Sequence, residues 1–344
     1  MTPIKVLIVD DSVFIRKLLT EILQADPELH VVGAANDPIE AKEMMNTLNP
    51  DVLTLDVEMP HMDGVSFLEK IMRLKPMPVV MISSKTTESA DVTLRSLALG
   101  AVDFITKPSN YAFKDIENMA DVIREKVKYA AKANIHVQRS KAPTRSVTPI
   151  KIKSDMIVAI GSSTGGVEAL ETIFKSLPAM MPPILVTQHM PPHFTESLAR
   201  RLNALLPLTV VEARDGDRLE PGYVYIAPGG RHLVVKKTKH DAIAALLNTE
   251  KVNAHRPSVD VMFQSVADTF GAKALGIILT GMGTDGAMGL KAMRDKGAHT
   301  MGQNQATSVI YGMPKAAMAA GGVCQELALN DMATKIIKYC EAAA

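Results

Sequence analysis

No tryptophan occurs in this chain of 344 residues, and the other aromatics amount to six Tyr and eight Phe. That scarcity argues against a stacking platform for single-stranded nucleic acid. An excess of one charge is missing too. The formal net charge is +1, so no global field draws in nucleic acid or anionic lipid. No uninterrupted apolar run approaches the ~20 residues of a membrane span. The opening MTPIKVLIVDDS passes from strand-like residues straight into acids, unlike a secretory signal. Cysteine is nearly absent: Cys324 and Cys340 stand near the C-terminus without metal-ligand spacing, the usage expected of reduced thiols in a cytoplasmic protein. Aliphatic residues are plentiful. Hydrophobic residues make up 47% against 22% charged, enough for a core in each half and too much for general disorder. At about 100–200 residues per domain, the length favours two domains.

Residues 131–153, AKANIHVQRSKAPTRSVTPIKIK, hold six Lys or Arg, no acid and two prolines. The stretch before them carries a net charge of −6 and the stretch after them +1. An unpatterned basic segment between two balanced blocks reads as a tether, with a docking patch as the alternative. As flexible coil it reaches roughly 25–30 Å. The expected organisation is a domain over 1–130, a linker over 131–153 and a second domain over 154–344.

In the first half, short Val/Ile-rich runs at 4–9, 29–34, 52–55, 78–82 and 101–105 alternate with helical patterns such as 13–23. Five such units predict a parallel, doubly wound α/β sheet, with function at the carboxyl ends of its strands. Polar residues stand at those ends: Asp10 and Asp11 after the first strand, Asp56 after the third, Ser83 after the fourth, Lys107 after the fifth. Parallel strands lie about 4.8 Å apart, so these side chains converge on one crevice. Converging carboxylates repel, and a hard divalent cation such as Mg²⁺ relieves that repulsion. One carboxylate then serves as a nucleophile toward phosphorus, with Lys107 neutralising the incoming oxygens.

The segments VDDS, LDVEMPHMDG, SS and FITKP in this order resemble the receiver domain of two-component response regulators over about residues 1–125. The resemblance implies that Asp56 accepts phosphate from a histidine kinase. It implies that Asp11, Asp56 and the Glu58 carbonyl hold Mg²⁺ with Asp10 in support, that Phe104 reorients on activation, and that the Lys107–Pro108 bond is cis.

The second half opens with a strand over 156–160, GSSTGG at 161–166 and a helical pattern from Val167. A Gly-rich turn there admits a phosphate cradle, a nucleophile elbow (Gly161-x-Ser163-x-Gly165) or plain close packing. The motif alone leaves all three open. Two further strands, 184–188 and 275–280, end at His189 and at GMGTDG with Asp285 inside. An alcohol, an imidazole and a carboxylate at three strand ends is the set that serine nucleophilic catalysis requires. Gly281-x-Gly283-x-x-Gly286 also fits a dinucleotide fingerprint, but the acid expected about 20 residues further on is missing. No HExxH-type zinc pattern occurs. His232 and His255 read as surface or hydrogen-bonded core residues, with lining of the pocket as the alternative. Residues 212–235 read as a polar loop and hairpin.

GSSTGG, QHMPP, YIAPGGRH, HRPSVD and GMGTDGA, behind the receiver motifs, resemble the CheB family of chemotaxis response-regulator methylesterases over nearly the whole chain. The family more often carries Ala where this chain has Ser162, and alignment on the glycines selects Ser163. The fold expected is an N-terminal (βα)5 receiver plus a doubly wound, mainly parallel α/β catalytic domain. The resemblance implies phosphorylation-activated hydrolysis of glutamyl methyl esters, and deamidation of selected glutamines, on methyl-accepting chemoreceptors. Ser163, His189 and Asp285 would form the triad, and backbone N–H groups at Thr164 and Met282 the oxyanion hole. The expected setting is cytoplasmic, with a histidine kinase and chemoreceptors as partners, no nucleic acid, no membrane insertion and no cofactor in the catalytic domain. The alternative is a phosphorylation-dependent binding regulator with an inactive second domain. A DNA-binding output would need a basic helix-turn-helix, and the second half is nearly neutral.

Overall fold

The computed structural model describes residues 2–59, 62–107, 113–133, 151–153, 155–239 and 241–341, excepting the side chains of 113–118. Pro108 and most of the expected linker, 134–150, lie outside the described residues, as therefore do the Lys107–Pro108 geometry and the tether. The chain forms two compact units, Met1–Arg139 and Ser140–Ala344.

The first unit runs β1 (Ile4–Val9), α1 (Val13–Gln24), β2 (Leu29–Ala35), α2 (Pro38–Leu48), β3 (Val52–Asp56), α3 (Gly64–Leu74), β4 (Val79–Ser83), α4 (Thr87–Ala98), β5 (Asp103–Thr106) and α5 (Phe113–Ala131). Its strands pair in parallel in the order β2-β1-β3-β4-β5. Val6–Val9 in β1 and all of β3 and β4 are buried, as strands covered by helices on both faces must be. The helices start where short polar side chains take up free amides: Ser12 accepts from Ile15 N, Asp37 from Ile39 N and Glu40 N, Asp63 from Ser66 N. Chain direction across the sheet reverses between β1 and β3, the strands that carry Asp10 and Asp56. Crevices open at such switch points.

The second unit runs β6 (Ile157–Ser162), α6 (Gly166–Phe174), β7 (Ile184–Gln188), α7 (Phe194–Leu205), β8 (Thr209–Glu212), β9 (Tyr223–Ile226), β10 (His232–Lys237), β11 (Ala242–Leu247), α8 (Val259–Phe270), β12 (Ala274–Ile278), α9 (Ala287–Asp295), β13 (His299–Gln303), α10 (Met313–Ala319), β14 (Gln325–Leu327) and α11 (Leu329–Cys340). Seven strands pair in parallel in the order β14-β13-β12-β6-β7-β9-β8, and β10 and β11 form an antiparallel hairpin beside them. Here the switch point lies between β6 and β12. Buried Met262, Phe263 and Val266 of α8 pack in one core with Ile157, Ala159 and Ile278 of the sheet. The reading of 212–235 as loop and hairpin needs correction. Tyr223–Ile226 is a strand of the main sheet, and the hairpin partner of His232–Lys237 lies beyond that run. Four mostly buried residues between polar turns are too few to show a period.

Candidate active site

In the first unit, Asp10 and Asp56 are buried and Asp11 is exposed, and an oxygen of each lies within 4.8 Å of the others. Lys107 Nζ donates to Asp56 Oδ2 at 2.7 Å. It stands 3.3 Å from Asp10 Oδ2, an ion pair without hydrogen-bond geometry, so that buried oxygen has no hydrogen-bond partner among the described residues. Burial first, and then the charge of Asp10, push the Asp56 carboxyl up to about 6. Asp10 is likewise raised, chiefly by burial, with Lys107 opposing. Two strained carboxylates, an unbonded buried oxygen and an exposed third acid make a donor set of hard oxygens that fits Mg²⁺. Glu58 N lies 3.3 Å from Asp56 Oδ1, which brings the Glu58 backbone to the same rim.

Ser83 ends β4 one step beyond Ile82, the partner of Asp56 in the register, and Lys107 N bonds to Ser83 O at 2.7 Å. The Ser83 hydroxyl is buried, donating to Ser84 O and accepting from Thr93 Oγ1. Phe104 is buried, with the Lys126 ammonium 5.1 Å from its ring centroid. Sequence reasoning missed Arg16, whose Nη1 binds the carbonyls of Asp10 (2.7 Å) and Asp11 (3.0 Å) and holds the acidic loop in place. One arginine on a helix carries no signal of that role.

In the second unit, Ser162 of β6 pairs with Gln188 of β7 in parallel register. Ser163 and His189 are therefore the next residues on two neighbouring strands, about 4.8 Å apart in the hydrogen-bonding direction. Ser162 O accepts from His189 N at 3.1 Å, and Thr280 O accepts from Ser163 N at 3.1 Å, so strands on both sides fix the turn. Gln188 clamps it as well. Its Nε2 donates to Ser163 O (2.9 Å) and its Oε1 accepts from buried Ser162 Oγ (2.6 Å). Of the two serines, Ser162 is thus engaged inside the core, while Ser163 is half-buried and no hydrogen bond joins its Oγ to His189.

Asp285 reaches His189 from the turn after β12, its Oδ2 2.7 Å from His189 Nε2. The carboxyl is 1% exposed and yet fully served. Oδ1 accepts from Asn253 Nδ2 (2.8 Å), Ser258 Oγ (2.8 Å) and Asp260 N (3.3 Å), and Oδ2 also accepts from Val259 N (2.7 Å). Those last amides are the N-terminus of α8, so the helix dipole favours the anion too. Burial pushes this carboxyl up, but the hydrogen bond and charge of His189, the Asn253 amide and the Val259 amide outweigh it, holding Asp285 well below the usual carboxylate range. An ionised carboxylate only accepts, so in the neutral imidazole Nε2 of His189 carries the proton and the lone pair falls to Nδ1. That Nδ1 is buried with no hydrogen-bond partner among the described residues.

Gly281 sits so close to the turn that an added Cβ would lie 2.8 Å from Ser163 Cβ. Met282 follows it, and Thr164 precedes α6 by two residues, so both chain segments flank Ser163. His232 is a core residue, as expected of it: Nε2 faces Glu250 O (2.9 Å), and Nδ1 accepts from Ser258 N (3.1 Å). His255 is different. Its ring lies on that of His189. The cradle from Asn253 to Asp260 was missed, although a capping Ser258 ahead of an apolar helix was visible in the sequence.

The structure thus holds two parallel α/β units, one with a carboxylate–lysine pocket and one with a hydroxyl, an imidazole and a carboxylate grouped at strand ends. A family model for the CheB methylesterase matches residues 158–336, and one for the response regulator receiver domain matches 6–120. A Yersinia pestis protein named protein-glutamate methylesterase/protein-glutamine glutaminase is 48% identical over 339 residues, covering 98% of this chain and 97% of its own. A Nitrosomonas europaea protein of the same name is 49% identical over 345 residues, covering 98% of this chain and 96% of its own. The crystal structure of the Thermotoga maritima CheB methylesterase catalytic domain is 41% identical, covers 54% of this chain and all of that one, and superposes with a TM-score of 0.53. The chain belongs to the CheB methylesterase family: it is a response regulator whose output domain is an enzyme. An inactive binding regulator is not favoured. Among the described residues no helix is long and apolar enough to cross a membrane.

Proposed function

We propose that the second unit hydrolyses glutamyl methyl esters, and deamidates selected glutamines, on methyl-accepting chemoreceptors in the cytoplasm, and that phosphorylation of Asp56 by a histidine kinase turns it on. The observation that carries this reading is the His189–Asp285 pair beside Ser163, in a chain whose relatives bear the methylesterase/glutaminase name. Ser163 Oγ attacks the side-chain carbonyl carbon as Nδ1 of His189 takes its proton. Asp285 keeps the opposite nitrogen protonated and stabilises the imidazolium that forms. Amides at Thr164 and Met282 would receive the oxyanion. The tetrahedral centre collapses, and His189 returns the proton to the leaving methoxide, or to the departing amine when the substrate is glutamine. Water, deprotonated by the same nitrogen, then cleaves the acyl-enzyme. In the receiver, Asp11, Asp56 and the Glu58 carbonyl would hold Mg²⁺ with Asp10 in support, and the ion would supply positive charge opposite the phosphoryl oxygens. Lys107 would neutralise those oxygens as well, while Ser83 would donate a hydrogen bond to them and Phe104 would reorient on activation.

Methanol release from methylated receptor membranes tests both halves. Ser163→Ala is expected to lower kcat by about 10⁴–10⁶-fold, and near-wild-type release would overturn the assignment. A small phosphodonor should stimulate the wild type and leave Asp56→Asn at its basal rate.

A further inference from the structure

His189 is held along one line only, from Nε2 to Asp285 Oδ2. A single hydrogen bond fixes a point on the ring but leaves it free to tilt about that bond, and a tilted ring aims Nδ1 away from its target. The second restraint comes from His255. The two imidazoles lie face to face, with centroids 3.7 Å apart and planes 6° from parallel. Aromatic pairs ordinarily keep centroids about 4.5–7 Å apart, so this overlap is nearly complete.

The segment that brings His255 there is built for the purpose. Val252 and His255 exchange backbone hydrogen bonds at 3.0 and 2.9 Å across a two-residue turn. Both residues inside it, Asn253 and Ala254, have left-handed backbones, with φ of 51° and 65°. Non-glycine residues adopt that region at a cost, which surrounding contacts must offset. The contacts are those of the site itself. Asn253 Nδ2 donates to Asp285 Oδ1 (2.8 Å) and Asp260 Oδ2 (2.7 Å), and Ser258 Oγ also donates to Asp285. One short segment therefore grips the carboxylate and lays a flat ring on the imidazole that the carboxylate holds.

We propose that His255 is a positioning residue: its ring is the platform that sets the plane of His189 and so the direction of Nδ1. This rests on the acyl-enzyme reading above. The required property is a flat face, not a proton.

The test uses the full-length protein, with methanol release for turnover and the rate of Ser163 labelling by a fluorophosphonate as a receptor-independent measure of nucleophile activation. His255→Ala should lower kcat about 10- to 100-fold with KM changed less than about threefold, and slow labelling by the same factor. His255→Phe should restore labelling to within about threefold of wild type. Should His255→Ala lose its thermal unfolding transition, His255→Leu, which keeps bulk without a flat face, takes its place with the same expectation. Wild-type labelling by the Ala or Leu variant overturns the inference, and so does a Phe variant as slow as Ala. In either case the acyl-enzyme reading stands as long as Ser163→Ala stays unlabelled. Labelling of Ser163→Ala at the wild-type rate overturns both.

Discussion

Asp56 and Asp285 are each 1% exposed, one ending a strand of a parallel sheet and the other in the turn that follows one, and each bonded to a nitrogen at 2.7 Å. Their acidities nevertheless move in opposite directions. Asp56 is pushed up by burial and by Asp10, and only Lys107 and one long amide contact oppose. Asp285 is pulled down because His189, Asn253, Ser258 and the first amides of α8 all donate to it. Burial alone therefore does not decide what a carboxylate does; the number of donors facing it does. The contrast matches two tasks. A phosphoacceptor must take in an electrophile and a cation, so its charge is left unsatisfied. A carboxylate that orients a histidine must stay ionised and still, so its charge is saturated.

The severest way to break this comparison is to make the two residues alike. Asp285→Asn presents one acceptor oxygen where five donors converge, and its amide NH₂ faces donors it cannot bond. His189 then loses the partner that keeps Nε2 protonated. Methanol release should fall about 10³–10⁴-fold, while Asp56 is still phosphorylated by a small phosphodonor. A loss under tenfold would show that Asp285 does not set the tautomer.

Acidity offers a second handle. Folded Asp56 keeps its proton up to about pH 6, whereas its unperturbed value is 3.8. The folded state thus binds the proton more tightly, and the receiver loses stability as pH rises through that window, by on the order of 3 kcal/mol. Asp285 has the reverse sign. Its folded carboxyl is the stronger acid, so its contribution is present above the unfolded value and is lost as pH falls toward the folded one. With EDTA present, Asp56→Asn should match the wild-type receiver transition only below the unfolded value, near pH 3, and exceed it by about 5–10 °C at pH 7.5. Added Mg²⁺ should raise the wild type at pH 7.5 and the variant much less. Equal transitions at pH 7.5 would mean that the receiver carboxylates are not strained.

Much of this arrangement was legible in the sequence. Asp10, Asp56 and Lys107 follow apolar runs whose strand character is unambiguous, and the strand ends bearing Ser163 and His189 were as clear. The donors around Asp285 were less so: Ser258 shows as a helix cap, but Asn253 lies in a left-handed turn with no hydrophobic period and no glycine to mark it. The same holds for Arg16, which acts through carbonyls that every residue possesses. Periodicity reports burial, and strand ends inherit it. Cradles made from loop backbone do not.

The mildest change separates the two serines. Ser162 and Ser163 are adjacent in a Gly-rich turn, but only Ser162 Oγ is spent, on buried Gln188 Oε1 at 2.6 Å. Removing that hydroxyl leaves Gln188 Oε1 short of a donor while Nε2 still grips Ser163 O at 2.9 Å. The cost is that of a buried acceptor left without its donor, about 1–3 kcal/mol, or roughly 2–12 °C in the catalytic unit's transition. The Ser163 carbonyl stays anchored, so methanol release by Ser162→Ala should remain within about threefold of wild type. A loss comparable to that of Ser163→Ala would mean that the clamp, and not only the nucleophile, is needed to present the hydroxyl.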